Sequence, residues 1–264
     1  MPARTGDTFD VRPTYQPILR ELGLDAEAVF TDPRIVVWRS IPERENCTLD
    51  ADLVDGRHVR WHIKRHQPAR GGVTPAEEEA RGIQLLTDNG IPTVPLVGWG
   101  ALSDRRSFVI AEDLEGFGPA DKLLAEGRVD FESLLAPTAE MAATLHAKGL
   151  HHRDLYLCHF FARTTGGVEL RLIDAARVKA LPRWLSRRWV VKDLAQFWYS
   201  TLSLPVTDDQ RGRWLAEYAR CRGLPDGELR RLGGAVRRKA DWIGRHDLRL
   251  RSRQPGRNVS IPRS

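Results

Sequence analysis

From Arg34 onward the alternation of apolar and polar positions first has the period of a strand. Arg34 to Ile41 is β-branched and aromatic. Cys47 to Val54 leads into Asp55-Gly56, a hairpin dipeptide, and His58 to Arg65 is its returning partner. Side chains alternate along a strand, so Val59, Trp61 and Ile63 share one face of this third run and His62 and Lys64 the other. The period then changes. Thr74-Pro75-Ala76-Glu77 reads as a capping box with proline at the first helical position, opening a helix that runs to about Asn89 and stops at Gly90. Glu79, Ile83 and Leu86 fall on one face of it. Val94 to Gly100 and Ser107 to Ala111 return to strand patterning and complete an expected five-stranded antiparallel sheet. A helix follows from Phe131 to Lys148, with Phe131, Leu134, Leu135, Met141, Ala142 and Leu145 on its apolar side and Gly149 as its stop. Val168 to Asp174 alternates again, and the remainder is helical: about Arg183 to Ser203, Asp208 to Cys221 and Asp226 to His246.

Four segments are expected from this pattern: a polar extension over 1–33, holding one short helical piece from Ile18 to Phe30; a sheet-bearing portion over 34–114; a mostly helical portion over 115–248; and a basic flexible tail over 249–264. The fold class is α+β. Composition supports a buried core, with 41% hydrophobic residues and eight Trp among 264 residues. Net charge is +6 but unevenly spread: from residue 205 onward 15 Lys plus Arg face 7 Asp plus Glu, a local +8. That portion favours an anionic partner such as a phosphorylated glycolipid or an acidic membrane surface; a solvated basic face is the plainer reading. Nucleic acid is not expected, because no reading helix or aromatic platform accompanies the charge. Cys47, Cys158 and Cys221 offer neither a disulfide framework nor a zinc set, which suits a reducing cytoplasm. The first residues lack the apolar core of a signal peptide, and no run of about 18 apolar residues occurs, so a cytoplasmic location is expected.

Candidate chemistry centres on residues 150–161, where His152-Arg153-Asp154-Leu155 is followed by three residues and then His159. The spacing is similar to the protein-kinase catalytic loop H-R-D-L-x-x-x-N, with histidine in place of asparagine. In such a loop the aspartate accepts the attacking hydroxyl's proton and a metal ligand follows five residues later. A helix end rich in His and Arg produces the same tripeptide for reasons of the helix dipole alone, so the partners carry the weight. Lys64, on the third strand, stands where a kinase lysine grips phosphates. Its carboxylate partner is Glu79 or Glu78, with Glu77 expected to cap the helix. Asp174, twenty residues past Asp154, suits a second metal-binding aspartate or a turn residue. Glu112 and Leu114, in Glu112-Asp113-Leu114-Glu115-Gly116, lie where backbone groups between two lobes would meet an adenine. Asp193 is either an anchor for the loop or a surface ion-pair partner.

Strand lysine, helix glutamate, H-R-D loop and strand-end aspartate occur in kinase order, and the chain from about residue 34 to 205 resembles a two-lobed protein-kinase-like fold. It departs from the common pattern: no G-x-G-x-x-G is present, the first hairpin turns near Pro42 to Asn46, His62 replaces a small residue, and no A-P-E follows Asp174. His152-Arg153-Asp154-x-Tyr156-x-Cys158-His159-Phe160 closely resembles the signature of the bacterial lipopolysaccharide core kinases, the Kdo/heptose kinase family. Lys64-Arg65-His66, Gly90-Ile91-Pro92-Thr93 and Lys192-Asp193-Leu194 fit it too. The resemblance implies ATP-dependent phosphorylation of a sugar hydroxyl on the lipopolysaccharide inner core at the cytoplasmic membrane face. It implies Asp154, with Arg153, as the catalytic pair, Lys64 and Glu79 for phosphate, and Mg²⁺ on Asp174 with His159 as a second ligand or a loop orienter. Two rivals stand beside it: a small-molecule kinase of the aminoglycoside/choline type, and a nucleotide-binding pseudokinase scaffold, which the missing glycine loop favours.

Overall fold

The computed structural model describes residues 6–69, 72–182 and 184–253. Its described residues divide into two compact units. One comprises the chain up to Asp88, Thr93–Glu115 and Ala175–Arg177; the other comprises Asn89–Pro92, Gly116–Asp174 and the chain from Val178.

The first unit contains, in order, β1 (Thr8–Val11), α1 (Gln16–Leu22), α2 (Ala28–Thr31), β2 (Ile35–Ile41), β3 (Arg44–Asp52), β4 (His58–His66), α3 (Pro75–Asp88), β5 (Leu96–Ala101) and β6 (Ser107–Glu112). The strands form one six-stranded sheet in the order β1-β5-β6-β4-β3-β2, every pair antiparallel. The β3–β4 turn closes at Gly56, whose φ of +83° suits a residue without a Cβ. The register sets Lys64 opposite Asn46 on β3 and Val109 on β6. Trp61 and Ile63 are buried on one face of β4, and each such side chain contributes about 1.5–3 kcal/mol. His62 and Lys64 point the other way.

Two expectations need correction here. The sheet has six strands rather than five, and the supposed extension over 1–33 belongs to this unit from Thr8 onward. Thr8–Val11 pairs with Gly98–Ala101, while Ile18, Leu19, Leu22 and Val29 join Leu49, Trp61, Phe108 and Ile110 in one core. Phe9 and Phe30 meet the Phe108 ring edge-on at 4.9 and 5.9 Å. The segment looks polar because only a few of its positions are apolar, yet those positions are the ones that are buried.

Helix α3 begins where expected. The Thr74 hydroxyl accepts the Glu77 N–H at 3.2 Å, but the Glu77 carboxylate binds Arg81 one turn on, so half of the predicted capping box forms. A Cβ on Gly82 would lie 1.9 Å from the Ala175 carbonyl oxygen; α3 therefore packs directly on the turn Ala175–Arg177.

The second unit holds β7 (Gly118–Pro119), α4 (Ala120–Ala125), α5 (Phe131–Ala147), β8 (Leu150–His151), β9 (Phe160–Arg163), β10 (Glu169–Leu172), β11 (Lys179–Ala180), α6 (Ser186–Ser200), α7 (Asp208–Cys221) and α8 (Asp226–Arg253). Its short strands form the ribbons β10-β9-β7 and β11-β8. α5 packs on α7 and α6 on α8. Phe197 and Trp214 stack at 3.9 Å in the core, with Phe131 and Phe160 packed against Phe197. α8 runs on through Arg253, so the expected flexible tail over 249–264 is helical for its first five residues. The rest of that stretch lies outside the described residues. Among the described residues no helix is long and apolar enough to cross a membrane.

Candidate active site

In the first unit the Lys64 ammonium donates to Glu79 Oε1 at 2.6 Å, so the choice between Glu78 and Glu79 falls on Glu79. The Glu79 side chain is buried and that of Lys64 mostly so, with relative exposures of 7% and 25%. A carboxylate and an ammonium this close and this dry hold each other in one orientation, since either alone would bear the cost of desolvation. Glu112 ends β6, its N–H donating to the Pro95 carbonyl at 3.0 Å. Its carboxylate accepts the Tyr15 hydroxyl; burial, then that hydrogen bond, pushes the Tyr15 phenol well above its usual range. Leu114 follows two residues later, just past Asp113, which donates its N–H to the Arg60 carbonyl at 2.9 Å and accepts His62 Nε2 at 2.6 Å.

The loop in the second unit takes its shape from α6. The Asp193 carboxylate is fully buried and accepts the His152 N–H at 2.7 Å and the Arg153 N–H at 2.8 Å. Burial raises such a carboxyl's pKa, but here the hydrogen bond from His146 and the charge and N–H groups around it prevail and hold it below the ordinary carboxylate range. Three residues on, the Gln196 amide donates to Asp154 Oδ1 at 3.3 Å and its oxygen accepts the Leu155 N–H at 3.3 Å. The Ser200 hydroxyl accepts the Leu157 N–H at 2.9 Å. Positions 193, 196 and 200 thus form one polar stripe beneath the loop. Arg153 sits at φ +70°, a conformation that costs a residue with a Cβ roughly 1–3 kcal/mol, and the Asp193 bonds to it and to His152, with the Lys192 ammonium on its carbonyl, hold it there.

His152 is buried, and its Nε2 donates to the Ile173 carbonyl at 3.1 Å. Desolvation, then the nearby His159, lowers its pKa, so it is neutral. The Ile173 N–H returns to the His159 carbonyl at 2.9 Å. Asp174 follows at φ +59°, its Oδ2 lying 3.5 Å from His159 Nε2. His159 Nδ1 lies 2.6 Å from the Asp154 carbonyl oxygen. A carbonyl can only accept, so Nδ1 carries a proton, and Nε2 faces the Asp174 carboxylate. An imidazole nitrogen and a carboxylate oxygen that face one another are groups able to share a cation, which is the property a metal pair requires. The Asp154 backbone, the His159 ring and the Asp174 carboxylate are therefore brought together.

Sequence reasoning missed Tyr15, Gln196 and Asp121. Burial pushes the Asp121 carboxyl up, and its Oδ1 is buried without a hydrogen-bond partner among the described residues. The adjacent Cys158 thiol is likewise pushed up, to about 12, mainly by burial and then by the Asp121 charge. It is no nucleophile at neutral pH. The α6 stripe was readable in principle: polar residues at i, i+3 and i+7 interrupt an otherwise apolar helix face.

Three comparisons bear on this arrangement. The chain is 28% identical over 220 residues to the lipopolysaccharide core heptose(I) kinase WaaP of Escherichia coli K12, covering 74% of this chain and 82% of that one. It is 29% identical over 206 residues to the protein of the same name from Pseudomonas aeruginosa, covering 70% and 76%. Among solved structures, the Cydia pomonella granulovirus kinase PK-1 aligns over 63% of this chain and 56% of that one, at 13% identity and a TM-score of 0.41. The model of the lipopolysaccharide kinase (Kdo/WaaP) family matches residues 43–218, which take in Lys64, Glu79, the His152–His159 loop, Asp174 and Asp193. The chain belongs to the lipopolysaccharide kinase (Kdo/WaaP) family.

Proposed function

We propose that this kinase transfers the γ-phosphoryl group of ATP to a sugar hydroxyl of the lipopolysaccharide inner core, with heptose as the acceptor favoured by the relatives' names. The observation that carries the reading is the chain of contacts from the Asp154 backbone through the His159 ring to the Asp174 carboxylate, with Asp154 itself braced from α6 by Gln196. Asp154 accepts the proton of the acceptor hydroxyl as its oxygen bonds to the γ-phosphorus; the bond from that phosphorus to the bridging oxygen breaks and ADP leaves. Gln196 steers one oxygen of Asp154. Lys64, oriented by Glu79, binds the α- and β-phosphates, and backbone groups of Glu112 and Leu114 meet the adenine. Asp174, with His159 beside it, would hold Mg²⁺. When bound, Mg²⁺ supplies neutralisation of the β- and γ-oxygens. Oxygen is its preferred donor, so Asp174 would be the main ligand, with His159 serving chiefly to fix the loop through its bond to the Asp154 carbonyl.

The acceptor and the basic helices point to work at the cytoplasmic face of an anionic membrane, where cationic side chains are attracted within a Debye length. Rising salt should release the protein from anionic vesicles. A second reading, a nucleotide-binding scaffold without turnover, is favoured by one observation: the β2–β3 hairpin turns through Pro42-Glu43 alone, with Ile41 paired to Arg44, and offers no glycine-rich cradle.

The test is ATP consumption by wild type and Asp154→Ala with Mg²⁺, with and without dephosphorylated lipopolysaccharide core. Core-stimulated turnover that the variant loses, with nucleotide affinity retained, is expected. Wild-type turnover in the variant would sink the assignment of the base. Nucleotide binding without transfer across a panel of sugar and amino-alcohol acceptors would favour the scaffold.

A further inference from the structure

Beside the loop, α6 and α8 enclose a pocket of about 590 Å³ that the roles above leave unused. Five cations line it: Arg153 from the loop, Arg187, Arg188 and Lys192 from α6, and Lys239 from α8. Among the described residues no carboxylate does. Two indoles hold four of these cations in place. The Arg153 guanidinium lies 4.6 Å from the Trp189 ring centre, with Lys192 and Arg188 at 5.7 and 5.9 Å, and the Lys239 ammonium lies 3.6 Å from that of Trp242. Arg153 Nε is buried without a hydrogen-bond acceptor among the described residues. Burial, then the charge of Arg188, depresses the Lys239 ammonium, as expected where like charges crowd.

Resting on the kinase reading, we propose that this pocket binds an anionic saccharide of the acceptor, a sugar ring carrying a carboxylate or phosphate. Pre-set guanidinium and ammonium groups select an oxyanion and lose little entropy on engaging it. The volume is in the range of small-molecule sites and exceeds what one inorganic anion fills. Trp242, 49% exposed, leaves indole edge for the sugar's C–H surface. Arg153 directly precedes Asp154, so an acidic sugar anchored here tethers its neighbour's hydroxyl within one residue of the base. This is positioning through a remote group of the substrate.

The experiment uses wild type, the double variant Arg188→Gln/Lys239→Gln, and Trp242→Ala. Binding of deacylated, dephosphorylated core oligosaccharide is measured calorimetrically without nucleotide, alongside the KM values for that acceptor and for ATP. We expect the double variant to weaken oligosaccharide binding and raise its KM tenfold or more, with KM for ATP and melting temperature unchanged. Trp242→Ala should weaken it severalfold. Reducing the oligosaccharide's carboxyls to alcohols should weaken wild-type binding as the double variant does; if only re-phosphorylated core then binds, the recognised group is the phosphate. The proposal is overturned if the double variant binds like wild type, or if inorganic phosphate binds as tightly as the oligosaccharide. It is equally overturned if the variants lose only adsorption to anionic vesicles. Wild type that binds the oligosaccharide but never consumes ATP would fail the kinase reading while leaving the pocket standing.

Discussion

Replacing Asp193 by Asn changes one atom and should disable the loop. The carboxylate now accepts two loop N–H groups, from His152 and Arg153, at 2.7 and 2.8 Å on separate oxygens. An amide has one oxygen, so its NH₂ must face one of those N–H groups. One charge-assisted bond is lost, at roughly 1.5–3 kcal/mol, and a buried N–H is left unpaired at roughly a further 1–3, a total of about 2.5–6 kcal/mol. For a chain of this length that corresponds to a fall in melting temperature on the order of 10 °C. With that tether weakened, Arg153 is held less firmly at φ +70°, and Asp154 shifts with it. A displacement of about 1 Å at a reacting group costs on the order of 100-fold in rate. Thermal unfolding and steady-state turnover of Asp193→Asn read both effects: kcat should fall about 100-fold, with KM for ATP changed little. The sign with pH is also fixed. The folded pKa of Asp193 is depressed, so its contribution is full above the unfolded value of about 3.9 and is lost only as acid carries the pH down through the folded one. The stability gap between variant and wild type should therefore stay constant from pH 7 to 5. Ser200→Ala, which frees only the Leu157 N–H, is a smaller companion change of about 1–2 kcal/mol. Native stability together with native turnover in Asp193→Asn would refute the argument.

Three further outcomes are expected. Gly82→Ala gains about 1 kcal/mol of helix propensity, yet its Cβ would meet the Ala175 carbonyl, so denaturant unfolding should show a net loss of about 1–3 kcal/mol; a stabilised variant would mean the helix and turn are not in contact. Glu79→Gln removes the carboxylate charge that orients the mostly buried Lys64 ammonium, and kcat/KM for ATP should fall some tens-fold, about 2 kcal/mol, whereas an unchanged value would make the pair dispensable. His151 has its pKa lowered to about 4, chiefly by burial, so the unfolded chain binds a proton that the folded one refuses between about pH 6.5 and that value. Stability should fall by up to about 1.4 kcal/mol per pH unit on acidification through this window, and urea midpoints of His151→Gln should lose that part of the slope.

What was legible in the sequence was local. The period of two in β3 and β4, with Asp55-Gly56 between them, placed Lys64 on the correct face, and Thr74 and Gly90 bounded α3. The H-R-D spacing with His159 and Asp174 pointed to the family and to residues that the second unit brings together. What was not legible depended on distant residues. Four residues, Thr8–Val11, form a strand only because β5 offers an edge ninety positions later. Glu78 and Glu79 differ by one step of helix rotation, which sequence periodicity does not resolve but packing does. Asp193 carries no local sign of being buried rather than paired at the surface. The length of α8 was underestimated because the run from Arg249 looked like a charged tail, although arginine and leucine are both good helix formers.

The dependence of the loop on Asp193 has a consequence for how the protein is made. His152 and Arg153 receive their geometry from a carboxylate 41 and 40 positions downstream. At about 5–20 residues per second, translation delivers the loop several seconds before it delivers the helix that shapes it. During that interval the H-R-D tripeptide is synthesised but unformed, and Arg153 has nothing to hold it in a left-handed conformation. Maturation of the site on the ribosome is thus governed by the emergence and docking of α6, a non-local step of the slow kind. Nascent chains halted before residue 193 would contain Lys64, Glu79, Asp154, His159 and Asp174 and yet lack the loop geometry that transfer needs.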